Sequence, residues 1–79
     1  MSKLIQVSIN VAFERGRPTS FFYHRERTVE RIYDHWREQG RWWHQEQEMH
    51  IFKVVSEGSL FELHYVPPLE QWILYRIYD

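Results

Sequence analysis

Arginine and tryptophan residues are concentrated in one short stretch, and this pairing is the strongest sign of chemistry in the sequence. Guanidinium groups contact phosphates and indole rings stack on bases, so the combination is typical of surfaces that bind single-stranded nucleic acid. Arginines between residues 15 and 31 could extend such a basic track. We therefore predict a ligand-binding or partner-binding site formed by Trp36, Arg37, Arg41, Trp42 and Trp43.

The alternative use of these tryptophans is as core residues. A chain of 79 residues hides only about 60% of the surface that its unfolded form exposes, so its core needs large anchors. We expect at least two of the three clustered tryptophans to be substantially buried. Neighbouring residues of a strand point to opposite faces, so Trp42 and Trp43 cannot both enter one core if that segment is extended. An exposed tryptophan beside arginine is also typical of protein interfaces.

Histidines and carboxylates offer weaker candidates for a site. The five histidines are His24, His35, His44, His50 and His64. No two of them have the spacing of helical zinc ligands, and cysteine is absent, so we predict no metal and no other cofactor. Asp34 and Glu62 lie within apolar segments, but such acids more often face water from the outer side of a strand. The sequence contains no phosphate-binding loop or nucleophile motif, and we expect a protein that is not an enzyme.

The charge is distributed unevenly along the chain. Residues 1–43 hold eight basic and five acidic residues, whereas residues 44–79 hold two basic and six acidic residues. This asymmetry could produce one basic and one acidic surface, although antiparallel strands from the two halves could interleave and blur it.

Neither a membrane segment nor a signal peptide is predicted. Apolar runs such as Leu4–Ile9 are far shorter than the roughly 20 residues that span a bilayer, and the N-terminus lacks the apolar region of a signal peptide. The absence of cysteine fits a reducing compartment. We expect a cytoplasmic protein without membrane contact, and the oligomeric state is left open.

Alternation of apolar and polar residues predicts strands along most of the chain. Glycine and proline between these segments predict turns near residues 14–18 and 56–59, and Pro67-Pro68 predicts a stiff connection. Residues 24–27 are interpreted as a hairpin tip, and residues 45–48 as an exposed loop. The predicted strands cover residues 4–13, 19–24, 49–55, 60–66 and 71–78.

Residues 28–38 fit either a helix or a strand. The helical interpretation depends on apolar spacing of three and four residues, a possible N-cap and a glycine that could end the helix. The strand interpretation depends on alternation at Ile32, Asp34 and Trp36, with a bulge after Val29. The residues that favour a helix are Thr28, Val29, Ile32, Tyr33, Trp36 and Gly40.

These segments together predict one mainly β domain over residues 1–79. We expect a single antiparallel sheet of five to six strands, strongly curved or partly closed, with a short helix near residues 29–38 as the alternative to the third strand. The segment Trp36–Trp43 is predicted to be a hinge between an N-terminal set of strands and a C-terminal meander.

Several fragments, taken in order, also carry a family resemblance. They are Arg17-Pro18, the segment Val29 to Arg37, the segment Gly40 to Trp43, the segment Phe61 to Leu63, and the segment Trp72 to Asp79. This pattern resembles a small bacterial domain family of unknown function, found alone or at the C-terminus of polymerase-like proteins of the Y (translesion) family. The resemblance covers roughly residues 17–79.

The resemblance implies a strand at Val29–Trp36 and a setting in DNA repair. The sequence departs from the family pattern at Arg25 or Glu26, where a glycine commonly turns the hairpin, and in the insertion at residues 67–70. The family supplies no catalytic residues. We therefore expect a non-enzymatic accessory module that contacts single-stranded nucleic acid, such as single-stranded DNA. The alternative is a protein–protein adaptor or self-associating domain that docks on a Y-family polymerase-like partner.

Overall fold

The computed structural model describes the backbone of residues 2–42 and 45–78, and the side chains of residues 3–38, 48–67 and 69–78. Within these residues the chain forms seven strands and one short 3₁₀ helix, Pro67–Leu69. The strands are β1 (Ser2–Glu14), β2 (Arg17–Tyr23), β3 (Arg25–Thr28), β4 (Arg31–Trp42), β5 (Gln45–Ser56), β6 (Ser59–Val66) and β7 (Gln71–Tyr78).

All seven strands belong to one antiparallel sheet in the order β3-β2-β1-β7-β6-β5-β4. The predicted fold class is confirmed, but the predicted number of five to six strands is wrong. The additional strand is β3 (Arg25–Thr28), whose first three residues were predicted as part of a hairpin tip. An edge strand pairs through its backbone on one side only and needs no apolar alternation, which is why its composition gave no signal.

Residues 31–42 form a strand, and the alternative of a helix near residues 29–38 is wrong. β4 pairs with β5 along its length, from Arg31 opposite Val55 to Trp42 opposite Gln45. The same pairing places residues 45–48 in β5 rather than in the predicted loop. Segment 36–43 therefore does not form a hinge within residues 36–42, where β4 is continuous. Backbone pairing with β5 is a non-local interaction that outweighs the helical spacing of the apolar residues.

A bulge in β4 lies at Tyr33, between the paired residues Ile32 and Asp34. It is four residues beyond the predicted position at Val29. The extra residue allows Ile32 to pack against the core while Tyr33 remains 62% exposed. After the bulge, the alternation continues with His35 and Arg37 on the face of Ile32 and with Trp36 on the other face.

Two tight hairpin turns have a left-handed backbone that the glycine at the second position of each adopts without strain. Arg15-Gly16 joins β1 to β2, and Glu57-Gly58 joins β5 to β6. All four residues have positive φ angles, between 51° and 79°. This two-residue turn matches the twist of the flanking strands and requires glycine or a residue that tolerates the left-handed region.

The sheet is strongly curled. β2 and β6 are separated by β1 and β7, so in a flat sheet they would lie about 14 Å apart. Instead, the ring of Phe21 on β2 lies 5.1 Å from the ring of Phe61 on β6, centroid to centroid. The concave face of this half-barrel holds the core. The buried core residues are Phe21, Phe52, Val54, Phe61, Leu63, Trp72 and Leu74.

The two edges of the sheet meet at a seam. β3 lies at one edge and β4 at the other, yet only Val29 and Glu30 separate them in sequence. Three peptide steps reach about 11 Å, whereas the edges of a flat seven-stranded sheet would be about 29 Å apart. The backbone N–H of Val29 donates to the Thr19 carbonyl at 2.9 Å, and that of Glu30 donates to the Val55 carbonyl at 2.8 Å. The short connection therefore requires the curl.

Candidate functional site

A connected group of aromatic rings lies on the concave face, next to the core. We call it the aromatic platform. Five strands contribute to it: β1, β4, β5, β6 and β7. Its members are Phe13, His35, His50, Phe52, Tyr65 and Trp72.

Strand register creates the platform by placing aromatic residues opposite one another. His35 is paired with Phe52, and their rings stack at 4.1 Å with an angle of 3° between the planes. Tyr65 is paired with Trp72 on one side and with His50 on the other. Cross-strand neighbours on one face have side chains close enough to interact, so the rings form a continuous surface.

Phe13 extends the platform onto β1, the strand that pairs with β7. Its ring lies 5.8 Å from that of Trp72 and 6.1 Å from that of Tyr65. β1 contains a register shift between Ala12 and Phe13. Phe13 remains 50% exposed although it continues an apolar strand pattern.

The platform has a buried base and an accessible upper surface. Phe52 and Trp72 are buried, whereas Phe13 and His35 are exposed and Tyr65 is half-buried. The indole N–H of Trp72 is buried and has no hydrogen-bond partner among the described residues. Exposed rings anchored on buried rings are held in place, so they can accept a flat ligand without first being ordered.

Positive charge lies near the platform: Arg37 is opposite His50 on the concave face, and the charge of Arg17 is close enough to His35 to affect its pKa. Although His35 is exposed, partial desolvation of its ring is the first cause that lowers its pKa, and the nearby charges of His50, Arg17 and Arg37 lower it further against the opposing effect of Asp34. The neutral form of His35 is therefore favoured near neutral pH. Arg37 pairs with Glu48 at 3.0 Å, but both side chains are largely exposed. Such a surface ion pair contributes little stability, and an anionic ligand can replace Glu48 in it.

Other arginines of the predicted basic track have a structural role. Arg25 and Arg27 on β3 both bind the carboxylate of Glu57, at 2.6 Å and 2.8 Å. Arg27 also lies over the rings of Tyr23 and Phe61. These contacts attach the edge strand β3 to the turn between β5 and β6, so the two arginines bridge across the curl of the sheet.

The predicted site residues do not all lie on one surface. Trp36 is opposite Ile51 on the outer face, where its indole N–H donates to Glu38 at 3.0 Å. Arg37 is opposite His50 on the concave face, beside the platform. The structure therefore brings Arg37 to the aromatic platform and separates it from Trp36.

The remaining predicted site residues are only partly described. The backbones of Arg41 and Trp42 pair with Glu46 and Gln45 in β4 and β5. Their side chains lie outside the described part, and Trp43 lies wholly outside it. We predicted that at least two of the three clustered tryptophans are buried. Among these three, only the side chain of Trp36 is described, and it is half-buried. The fourth tryptophan, Trp72, is fully in the core.

Phe13 and Tyr65 were not predicted as site residues, and His35 and His50 were considered only as metal ligands. No local pattern marks these residues, since they come from four different strands. Their convergence depends on register, which apolar alternation does not specify. Among the described residues, no three or more side chains of the types that hold metals are grouped closely enough to bind an ion.

A polar cluster lies on the outer face, where cross-strand pairing forms a row of alternating charge. The row contains Asp34, Lys53, Glu62 and Arg76 from β4, β5, β6 and β7. Glu62 is buried and accepts hydrogen bonds from Tyr78 and from His64. Arg76 is next to Glu62 because a bulge at Tyr75 changes the alternation of β7.

The described part of the chain contains no helix with the length and apolar character needed to cross a bilayer. No curated protein and no solved structure matches the sequence. One family profile matches the whole chain, residues 1–79, and its description assigns no activity. The chain belongs to this family, Domain of unknown function (DUF6504).

Proposed function

We propose that this protein is a non-enzymatic binding module that holds single-stranded nucleic acid on the aromatic platform. The observation that supports this proposal is the continuous aromatic surface on the concave face with Arg17 and Arg37 beside it. Curved sheets with accessible rings and basic residues bind single strands because every base presents a flat face to a ring and every linkage carries a phosphate.

In this arrangement, Phe13, His35 and Tyr65 offer ring faces or edges to unstacked bases. Stacking of one base on an aromatic side chain contributes about 1–3 kcal/mol. Arg37 exchanges Glu48 for a phosphate, and Arg17 contacts a second phosphate. Because the neutral form of the His35 side chain is favoured, its ring stacks on a base without the desolvation cost of a charged imidazolium.

We further propose a role as an accessory factor in DNA repair or translesion synthesis, in the cytoplasm and in a bacterial setting. This part is supported by the resemblance of residues 17–79 to domains attached to Y-family polymerase-like proteins. A module that holds single-stranded DNA beside a polymerase would keep the template near the active site without taking part in the chemistry.

The test is a titration of a labelled single-stranded oligonucleotide with the native protein and with Phe13→Ala, at 50 and 200 mM salt. With two phosphate contacts on a single strand, the logarithm of the binding constant should fall against the logarithm of the salt concentration with a slope of about −1.4. This slope corresponds to roughly a sevenfold loss of affinity across this range. Phe13→Ala should weaken binding by about 5-fold to 100-fold through lost stacking. The measurement is fluorescence anisotropy.

Phe22→Ala is the matched control, because Phe22 is 54% exposed, close to the 50% of Phe13. Phe22 lies on the opposite face of the sheet from the core residue Phe21, away from the platform. The Phe22→Ala variant should bind the oligonucleotide with the affinity of the native protein. Absence of binding at low salt, or equal losses in the two variants, contradicts the proposal.

A second candidate function is a protein–protein adaptor, and the observation that favours it is the edge strand β4. β4 is twelve residues long, and β5 is the only strand that pairs with it among the described residues. A long edge can accept an extended peptide as an additional strand. Tyr33, 62% exposed in the bulge, would then contact the partner.

The adaptor candidate is tested with a Y-family polymerase-like protein as the partner. Tyr33→Asp should weaken this association at least tenfold, with little dependence on salt and no effect on oligonucleotide binding. Retention of affinity in Tyr33→Asp would count against the edge as the interface.

A further inference from the structure

A groove of about 580 Å³ lies on the outer face of the sheet, opposite the aromatic platform. Five strands contribute one residue each to a row along its floor, and strand pairing places these residues directly side by side. The row is Trp36, Ile51, His64, Ile73 and Ser8, from β4, β5, β6, β7 and β1. Both the volume and the mixed lining are typical of sites for small ligands.

At the centre of the floor is a buried acid–imidazole pair. Glu62 and His64 are only 8% and 9% exposed. Oε2 of Glu62 accepts from Nε2 of His64 at 2.6 Å, and Oε1 accepts from the Tyr78 hydroxyl at 2.5 Å. Burial alone would raise the pKa of Glu62, but the hydrogen bonds from Tyr78 and His64 and the nearby charges of His64 and Lys53 lower it overall. Glu62 is therefore ionised at neutral pH.

An ionised Glu62 fixes the proton of His64 on Nε2. In the neutral ring, Nδ1 is then a hydrogen-bond acceptor. Among the described residues, no donor reaches Nδ1. His64 lines the groove, so its ring can present Nδ1 to a ligand there.

The rest of the groove favours a flat and uncharged ligand. The ring of His64 stacks on that of Tyr75 at 4.3 Å, and Trp36 lines the side formed by β4. Glu38 and Glu62 line the groove and repel an anion. The charges of Lys53 and Arg76 flank Glu62 in the neighbouring row and oppose a cation.

A buried, hydrogen-bonded pair of a carboxylate and an imidazole is a costly feature in a domain of this size. An apolar pair of similar volume at these two positions would be about as stable or more stable. The pair does, however, hold one imidazole in a fixed orientation at the floor of the groove. This arrangement provides one oriented acceptor for a ligand.

We propose that the outer groove binds an uncharged, planar heteroaromatic ring that carries an amino group, of the aminopurine type. The ring packs between Trp36, Ile51 and Ile73, and the amino group donates a hydrogen bond to Nδ1 of His64. Tyr78 and Glu62 do not touch the ligand and act as positioning residues. This site is on the opposite face from the platform and does not depend on the proposed nucleic-acid binding.

The test uses two probes, 2-aminopurine and unsubstituted purine, with the full chain. Quenching of 2-aminopurine fluorescence and ¹H–¹⁵N chemical shifts report its binding, and the shifts also report purine binding. We expect 2-aminopurine to bind about tenfold more tightly than purine, as for one net hydrogen bond. The largest shift changes should occur at Ile51, His64 and Ile73.

His64→Phe keeps a flat ring and removes the acceptor, so it should reduce 2-aminopurine affinity to that of purine and leave purine binding unchanged. Phe22→Ala, an exposed residue that does not line the groove, should leave both affinities unchanged. Equal affinity of the native protein for the two probes overturns the proposal, and this comparison does not depend on any variant folding. Shift changes confined to Phe13, His35 and Tyr65 also overturn it.

Discussion

At the scale of single residues, the central feature is the hydrogen-bonded chain from Tyr78 through Glu62 to His64. Each oxygen of the buried carboxylate has one donor. Burial first, and then the hydrogen bond to Glu62, raises the pKa of Tyr78, while the same bond helps to lower that of Glu62. The hydrogen bond contributes to both shifts, because it is strongest when Tyr78 is neutral and Glu62 is charged.

Removal of the Tyr78 hydroxyl should destabilise the fold. In Tyr78→Phe, Oε1 of the buried carboxylate loses its donor, which costs about 1–3 kcal/mol. The measurement is the free energy of unfolding in urea. Tyr33→Phe is the matched control, since Tyr33 is 62% exposed and its hydroxyl makes no hydrogen bond with a described residue. Similar stability losses in the two variants would contradict a structural role for the bond.

The lowered pKa of Glu62 predicts a loss of stability in acid. A carboxyl group whose folded-state pKa lies below its ordinary value of 4.5 stabilises the fold at higher pH. That contribution is lost as the pH falls below about 4.5 and through the folded-state pKa. Glu62→Gln should therefore flatten the fall in unfolding free energy below this pH. An unchanged slope in the variant would assign the acid sensitivity to other carboxylates.

At the scale of elements, the seam between β3 and β4 determines the shape of the sheet. Ser56 is completely buried, and its hydroxyl donates to the Thr28 carbonyl at 2.8 Å. The backbone N–H of Glu57 donates to the Glu30 carboxylate at 2.6 Å. These contacts hold the end of β3 against the end of β5, so they close the seam beside the apolar core.

Ser56→Ala should loosen the seam. The variant leaves the Thr28 carbonyl without its donor, and we expect a loss of about 1–2 kcal/mol in unfolding free energy. Amide hydrogen exchange at Val29 and Glu30 should accelerate, while exchange in the centre of β6 should change only with global stability. Ser59→Ala, in the same hairpin and half-buried, is the control. Unchanged exchange at both amides would show that the seam is held by other contacts.

The strands and bulges also show which parts of the fold can be predicted from the sequence. Alternation at residues 4–13, 60–66 and 71–78 predicted strands close to the observed bounds because one face of each strand is buried. It did not indicate β3, whose residues are polar. It also could not locate the bulges at Tyr33 and Tyr75, because a bulge depends on how a strand fits its neighbours.

At the scale of the whole molecule, one sheet presents two different surfaces. The concave face combines the core with the aromatic platform, and the outer face carries the groove around His64. Buried residues from adjacent strands separate them, with Phe52 and Leu63 on the concave side and Ile51 and Glu62 on the outer side. A sheet only one layer thick can therefore offer two independent binding sites.

This separation predicts that the two ligands bind without mutual effect. A saturating single-stranded oligonucleotide on the platform should change the affinity of the groove for 2-aminopurine by less than about twofold, since no coupling free energy links the sites. Fluorescence titration of 2-aminopurine with and without the oligonucleotide measures this effect. Competition between the two ligands would place them in one site.

The sequence by itself determined the class of fold, because apolar alternation and turn residues are local properties that survive in any packing. It also predicted an aromatic and basic surface, but it placed that surface along one segment. The tertiary structure decided which residues converge: it separated Trp36 from Arg37 and joined Phe13, His35 and Tyr65. Register and curl arise from pairing between strands distant in the chain, and no local pattern specifies them.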